Sequence, residues 1–328
     1  MATFWDSLPH PFFALAPMAD VTDPAYRAVI VARGKPDVTW TEFVSADGLY
    51  HTREKRKDGH IIYDMDADNP LVRDLQFTEA ERPIVAQFFG SNPETMEYAA
   101  RFALERGFDG VDINMGCPDQ SIEKQGAGAA HIKDPERAKE VIAAVVRGTE
   151  GSIPVSVKTR LGYNTMQYQE WLPVLLSTPI SALTLHMRTR KEMSKVPAHW
   201  ELGEDIVALC RTENPNVKLI GNGDLVSLED ARGKAQEQGW DGMMLGRAIF
   251  GNPWAFAGRA PESLSREERL SSLLELAHAF DELRPRKHYA ILKKHFKAFV
   301  SGWDGAAEVR ARLMETNTLT ELEEAIKK

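Results

Sequence analysis

Cys117 is one of only two cysteines in the chain, and it stands between Gly116 and Pro118, two residues past the apolar run Val111–Met115 (VDINM). Structural thiols are usually packed on strands or helices, and Cys210, in the stretch 206–210, fits that description. Cys117, in a loop stiffened by a proline, does not. A thiol there serves as a nucleophile or as a proton donor. No neighbouring histidine marks a protease-like pair, so proton donor is the expected role.

Other chemistry-bearing residues fall at the ends of short apolar runs: Gln87, Asn114, Lys158, Arg160, His186, Arg188, Asn222, Asp224 and Arg247, with Pro17 and Met18 closing the first run. Taken singly, each has a bland reading as a strand cap or a satisfied core residue. Taken together at one end of consecutive strands, they suit a flat, polar, phosphate-bearing cofactor. Gly223, in GNGD (221–224), and Gly246, before Arg247, provide turns where backbone N–H groups approach a phosphate with no Cβ in the way. Lys158 would place a positive charge beside a flavin ring and stabilise its reduced form.

Such residues converge only if the intervening elements put them on one rim. Eight apolar runs read as strands: Phe12–Met18, Val38–Val44, Ile84–Phe89, Val111–Met115, Val155–Thr159, Ala182–His186, Lys218–Asn222 and Gly242–Leu245. Amphipathic helices are expected over Pro93–Arg106, Pro135–Val146, Gln167–Leu176 and Glu229–Gln238, two of them opening on a proline at the first helical position. Strand–helix alternation over about 250 residues predicts an α/β fold, a (β/α)8 TIM barrel, whose site lies at the C-terminal ends of the strands. The rival, a doubly wound open sheet, usually shows a GxGxxG turn after its first strand, and none is present there. From about Ser263 only helical signals remain, beginning with a capping-box spacing, Ser265 to Glu268. The expected organisation is a barrel catalytic domain over 1–255 and a small all-helical C-terminal domain over 256–328.

The 328 residues are 43% hydrophobic and 27% charged, enough for a large core. Two distant cysteines make neither a disulfide framework nor a zinc site, so no metal is expected. The N-terminal stretch MATFWDSLPHPFF lacks a basic segment followed by an apolar core, and no apolar run approaches membrane-spanning length. A soluble, cytoplasmic monomer is the expectation. Net charge is −8, which argues weakly against nucleic acid, but local clusters count for more. Arg284–Lys297 holds six Lys/Arg and no acid, and His186–Lys195 and His51–His60 are also basic. Any one cluster reads as a solvated helix face. Three of them outline a basic surface.

In chain order the motifs APMADVTDPAYR (16–27), TEFVSA (41–46), QFFG (87–90), DINMGCPDQ (112–120), GAGAA (126–130), VKTRLG (157–162), LHMRTR (185–190), GNGD (221–224) and LGRAIFGNPW (245–254) are present. This sequence resembles the flavin-dependent tRNA-dihydrouridine synthases. The resemblance runs from about Phe12 to Gly251 and weakly beyond. It implies an FMN-bearing barrel that reduces uridine in tRNA to 5,6-dihydrouridine with NADPH. By motif, Pro17, Met18, Gln87, Lys158, His186, Asn222, Gly223, Asp224, Gly246 and Arg247 are implied FMN contacts. Asn114 and Arg160 are implied contacts to the flavin edge or the target uracil. Cys117 is implied as the acid that protonates C5 after hydride moves from flavin N5 to uracil C6, which agrees with the role read from its position. Lys287, Lys293, Lys294 and Lys297, on what reads as an acid-free face with Arg286, and Lys55, Arg56 and Arg188 on barrel loops, are expected to meet the tRNA. After LHMRTR the chain departs from the family's usual residues, with Ser194, Val196 and His199 in a loop expected to border the tRNA, and with Met187 where a small residue is usual.

Two rivals remain at this point. A free-pyrimidine oxidoreductase on a related FMN barrel would explain the flavin residues and the cysteine but not the basic C-terminus. An RNA-binding protein on a decayed barrel would explain the basic clusters but not the coexistence of Cys117, Lys158 and His186.

Overall fold

The computed structural model describes residues 3–53, 56–57, 60–61 and 65–327. Eight parallel strands make up the main sheet: β1 (Phe12–Leu15), β2 (Thr39–Ser45), β3 (Ile84–Phe89), β4 (Gly110–Met115), β5 (Val155–Arg160), β6 (Ala182–His186), β7 (Lys218–Asn222) and β8 (Gly242–Leu245). They pair in order round the sheet, β8 returns to β1, and a bridge between Ala14 and Val38 closes the seam between β1 and β2. The fold is a TIM-like barrel. Helices alternate with the strands: α1 (Pro24–Arg33), α2 (Ala46–His51), α3 (Pro93–Glu105), α4 (Pro135–Gly148), α5 (Tyr168–Leu176), α6 (Gly203–Glu213) and α7 (Leu228–Gln238). Then come α8 (Arg266–Glu282), α9 (Tyr289–Phe299), α10 (Ala306–Met314) and α11 (Leu319–Lys327).

Local chemistry sets the helix starts. Asn92 and Asp134 accept backbone N–H groups of Glu94 and Arg137 (3.0 and 3.1 Å), and Pro93 and Pro135 occupy first-turn positions where an N–H has no helical partner. Ser265 and Glu268 form the expected capping box (Ser265 N–H to Glu268 2.8 Å, Glu268 N–H to Ser265 3.1 Å). The first strand is shorter than its apolar run suggests. Ala16 still donates to Leu245 O (2.9 Å), but Pro17 has no N–H and Met18 N–H turns to Thr22 Oγ1 (2.9 Å).

Period two along each strand separates two interiors. Outward positions such as Ile113, Val157, Leu183, Leu219 and Met243 join the helices in one large apolar core. Inward positions begin, at the N-terminal end, with an apolar plug that includes Trp5, Phe12, Trp40, Val85, Ile220 and Met244. Gly242 makes room for it, since a Cβ there would lie 2.4 Å from the Phe12 ring. Toward the C-terminal ends the same inward rows become polar: Gln87, Asp112 and Asn114, Ser156, Lys158 and Arg160, Thr184 and His186, then Asn222.

The C-terminal helices share the outer core through Leu273, Leu276, Phe296 and Phe299. Helix α8, the first long helix after β8, packs along α1, with Arg33 paired to Glu275 across the contact. Among the described residues no helix is long and apolar enough to cross a membrane.

Candidate active site

A cavity of about 590 Å³ opens at the C-terminal ends of the strands. It is lined by all ten residues expected to hold a cofactor: Pro17, Met18, Gln87, Lys158, His186, Asn222, Gly223, Asp224, Gly246 and Arg247. Asn114, Cys117, Arg160 and Arg188 line it too.

A chain of hydrogen bonds climbs the wall from the barrel floor to the thiol. Ser156 Oγ donates to Asp112 (2.5 Å), Gln87 Nε2 donates to Asp112 (2.6 Å), and Asn114 Nδ2 donates to Gln87 Oε1 (3.1 Å). Asn114 Oδ1 then accepts the backbone N–H groups of Gly116 (3.1 Å) and Cys117 (2.9 Å). The Cys117 loop is thus gripped from below by one side chain. From the side, Arg160 Nε donates to Gly116 O (2.7 Å), and Cys117 O accepts the Ala129 N–H (2.9 Å). That last approach requires Gly128, at φ +60°, because a Cβ there would lie 2.7 Å from Cys117 O.

Burial pushes the Cys117 thiol above its ordinary value of 9.0, so at neutral pH it carries its proton. Burial, followed by the Arg160 charge, pulls Lys158 down to about 8. One hydrogen bond, to Asn222 Oδ1 (3.0 Å), uses one of the three N–H directions of that buried ammonium. Asn222 is itself fixed by donating to Met244 O (2.7 Å). His186 is driven well below its ordinary range by burial and then by Arg160, Lys158 and Arg188. Arg188 Nη1 lies 3.1 Å from His186 Nε2, and a guanidinium can only donate, so Nε2 is the nitrogen without a proton. Asp224 accepts from both Arg188 and Arg247 and from the Ala198 N–H (3.0 Å). Lys158, Arg160, Arg188 and Arg247 therefore outnumber Asp112 and Asp224, and burial raises Asp112 to about 6. A cavity so lined favours an anionic guest, with the Gly223 and Gly246 turns on the Arg247 side suited to its phosphate. The residues present fit FMN.

The Dihydrouridine synthase (Dus) family profile matches residues 14–328. The chain belongs to the dihydrouridine synthase family. It is 39% identical to a probable tRNA-dihydrouridine synthase of Staphylococcus epidermidis, over 98% of this chain and 95% of that one. It is 40% identical to a probable tRNA-dihydrouridine synthase 2 of Bacillus subtilis (strain 168), over 97% and 94%. Solved structures share the barrel at low identity. A 2-naphthoyl-CoA reductase has TM-score 0.56 at 10% identity, covering 76% of this chain and 50% of that one. A morphinone reductase has TM-score 0.53 at 15% identity, covering 77% and 86%.

Several residues of this dihydrouridine synthase family member sit differently from their sequence expectation. Arg188 does not stand free on an exposed loop. Its side chain is 2% exposed, pinned by Asp224, His186 and Val196 O (Nε donor, 2.6 Å). Lys287 is not on a solvated face either. It is equally buried, with Glu42, Asp74 and Asp23 around its ammonium at 2.8, 3.3 and 3.4 Å. The α9 face is not acid-free in space, since Lys294 pairs with Asp20 (2.6 Å). Lys293 donates to Met314 O (2.8 Å), and Lys297 is exposed. None of these three lysines lines the cavity. Lys55 lies outside the described residues, as does the side chain of Arg56.

The departures after β6 are mostly tethers. Val196 receives Arg188, and His199 bridges Glu192 (3.0 Å) and Glu201 (2.8 Å), while Ser194 lines the cavity. Sequence reasoning missed Phe43, Val226 and Phe250 in the lining, and Asp112 beneath it. Asp112 carried a signal, two positions before Asn114 on the same strand face. The apolar three carried none.

Proposed function

We propose that this protein reduces uridine in tRNA to 5,6-dihydrouridine, with FMN as cofactor and NADPH as reductant. The observation that carries the reading is the Cys117 loop, gripped by Asn114 and Arg160 at the rim of a cavity lined by Lys158, Arg160, Arg188 and Arg247. Reduction of the uracil 5,6 double bond needs a hydride at C6 and a proton at C5. FMN supplies the hydride when bound. Cys117 gives its proton to C5, where an enolate-like anion has to be quenched at carbon. Asn114 and Arg160 hold the loop that aims the thiol, and N–H groups they do not spend on the protein would be available to the uracil or the flavin edge. Lys158 would place a positive charge beside the bound flavin and so favour its reduced form. Gly223, Gly246 and Arg247 would receive the phosphate, with Asp224, itself paired to Arg188, fixing Arg247. The uridine leaves its stack to enter, as bases do for enzymes acting on them. We place the activity in the cytoplasm, in a monomer whose exposed α9 lysines meet RNA phosphates.

The test is dihydrouridine mapping in tRNA from cells lacking the gene, then restored with wild type or Cys117→Ala. Restoration by wild type alone is expected. Dihydrouridine unchanged by loss of the gene, alongside NADPH-dependent reduction of free pyrimidines, would replace tRNA by a small substrate.

A further inference from the structure

Lys287 lies in the segment before α9, yet its ammonium is buried among carboxylates from three parts of the barrel. Asp23 caps α1, Glu42 stands on β2, and Asp74 ends the short helix Pro70–Asp74. Glu42 has a second duty. Its other oxygen accepts the backbone N–H of Asp20. Asp20, a non-glycine residue at φ +56°, lies in the turn that follows Pro17 and Met18 of the cavity wall. Left-handed backbone at an aspartate is uncommon and persists when its surroundings hold it. The hold here comes from both halves of the chain: Glu42 on the Asp20 N–H, and Lys294 of α9 on its carboxylate.

We propose that Lys287 is a positioning residue for the cofactor cavity, acting from the helical domain through Glu42 on the turn that carries Pro17 and Met18. Without the ammonium, buried Asp23 and Glu42 and half-buried Asp74 face one another, and Arg73, 2.9 Å from Asp74, is left as a cationic partner. Such a cluster relaxes by separating or by taking up a proton. A shift of Glu42, whose other oxygen holds the Asp20 N–H, carries the Asp20 turn with it. Docking of the helical domain and the shape of the cofactor wall are then one equilibrium. The inference rests on the flavin reading of the cavity.

Full-length wild type, Lys287→Met, Glu42→Gln/Lys287→Met and Lys294→Ala decide it. FMN is titrated into each apoprotein, and hydrogen exchange is followed at the Asp20 amide, with α4 amides as the report of global stability. Lys287→Met is expected to weaken FMN about tenfold and to speed Asp20 exchange beyond any change in α4. In the double variant, the carboxamide that replaces the Glu42 carboxylate accepts the Asp20 N–H and donates to Asp23 or Asp74, so FMN affinity returns to within about threefold of wild type. Lys294→Ala, at an exposed site, is expected to weaken FMN about twofold to threefold. A purely RNA-binding lysine would leave FMN affinity unmoved. Wild-type FMN affinity and Asp20 protection in both single variants would overturn the proposal, as would a double variant no better than Lys287→Met. If Lys287→Met does not fold, the double variant and Lys294→Ala carry the test: wild-type FMN affinity and Asp20 protection in Lys294→Ala, or a double variant more than threefold weaker, overturns it. A wild type that takes up no FMN would instead overturn the cofactor reading, and Asp20 exchange would still decide the coupling.

Discussion

The cations of the cavity and the lysines of the helical domain are similar in number and alike in sequence, but they face different things. Lys158, Arg160, Arg188 and Arg247 point into one volume, and each is fixed by a carbonyl, an amide or Asp224. Lys287, Lys293, Lys294 and Lys297 lie within eleven residues of one another and go four ways: into a carboxylate cluster, onto a helix-end carbonyl, onto Asp20, and into solvent. A strand in a closed barrel leaves its side chains two directions, so residue type at a strand end translates into a place. A lysine beside or on a helix has its direction decided by whatever docks against it.

The largest effect expected from breaking the convergent set is at Cys117. Cys117→Ala should lower dihydrouridine formation about 10²–10⁴-fold under single turnover while FMN binding and NADPH oxidation persist. Dihydrouridine appearing at the wild-type rate would remove the thiol from the mechanism. The proton also predicts a pH profile. A thiol raised by burial above its ordinary 9.0 stays protonated through neutrality, so the rate of the uridine step should hold to about pH 9 and fall as alkali ionises it. An alkaline limb that persists in Cys117→Ala would assign the limb elsewhere.

Next in size is Lys158→Met, which removes a buried charge anchored by its hydrogen bond to Asn222. FMN affinity should fall about tenfold or more, with slower reduction of the flavin that remains. A fully loaded variant with unchanged reduction kinetics would make Lys158 a strand cap.

The dispersed set is sharpened by separating its members. Lys293→Glu/Lys297→Glu should weaken tRNA binding a few-fold at low salt and flatten the salt dependence by about one to two phosphate equivalents. FMN content should stay the same. Superimposable salt titrations for variant and wild type would leave α9 an ordinary solvated face.

The smallest effect concerns the buried carboxylates around Lys287. Glu42 is raised to about 7 by burial, against the pull of Lys287. The folded chain therefore binds this proton more tightly than the unfolded chain, whose value is near 4.5. Its contribution to stability is full below about 4.5 and declines as pH rises to about 7. Glu42→Gln should match wild-type thermal stability at pH 5 and exceed it by a few degrees at pH 8. Parallel melting curves across that range would show that Glu42 stays ionised in the fold.

What the sequence discloses follows the same division. Strands β3, β6, β7 and β8 begin and end where their runs do, because a parallel strand in a closed barrel keeps its outward row apolar along its whole length, while its inward row is apolar at the floor and polar toward the rim. The cavity residues were legible because a Lys, a His and three amides (Gln87, Asn114 and Asn222) toward strand ends have few other reasons to be there together. Asp112 needed only the step of two from Asn114. Phe43, Val226 and Phe250 look like any apolar residue until the loops are folded. Arg188 and Lys287 were misplaced because their partners, Asp224 and Glu42, lie 36 and 245 residues away, a distance no local pattern spans.

Helix α8 lies along α1, where the ring of barrel helices would otherwise have a gap. The barrel is thus not complete in itself. Cutting the chain before residue 266 would strip the cover from Tyr26, whose ring meets His295 and Phe299 at 4.7 and 5.9 Å, and from its neighbours on α1. A catalytic fragment excised at that point would carry an open greasy flank and should be recovered as aggregate. The last fifth of the chain cannot be exchanged between relatives like a detachable cartridge. Any graft would have to bring its own matching α1, so the two ends of the polypeptide are bound to change together.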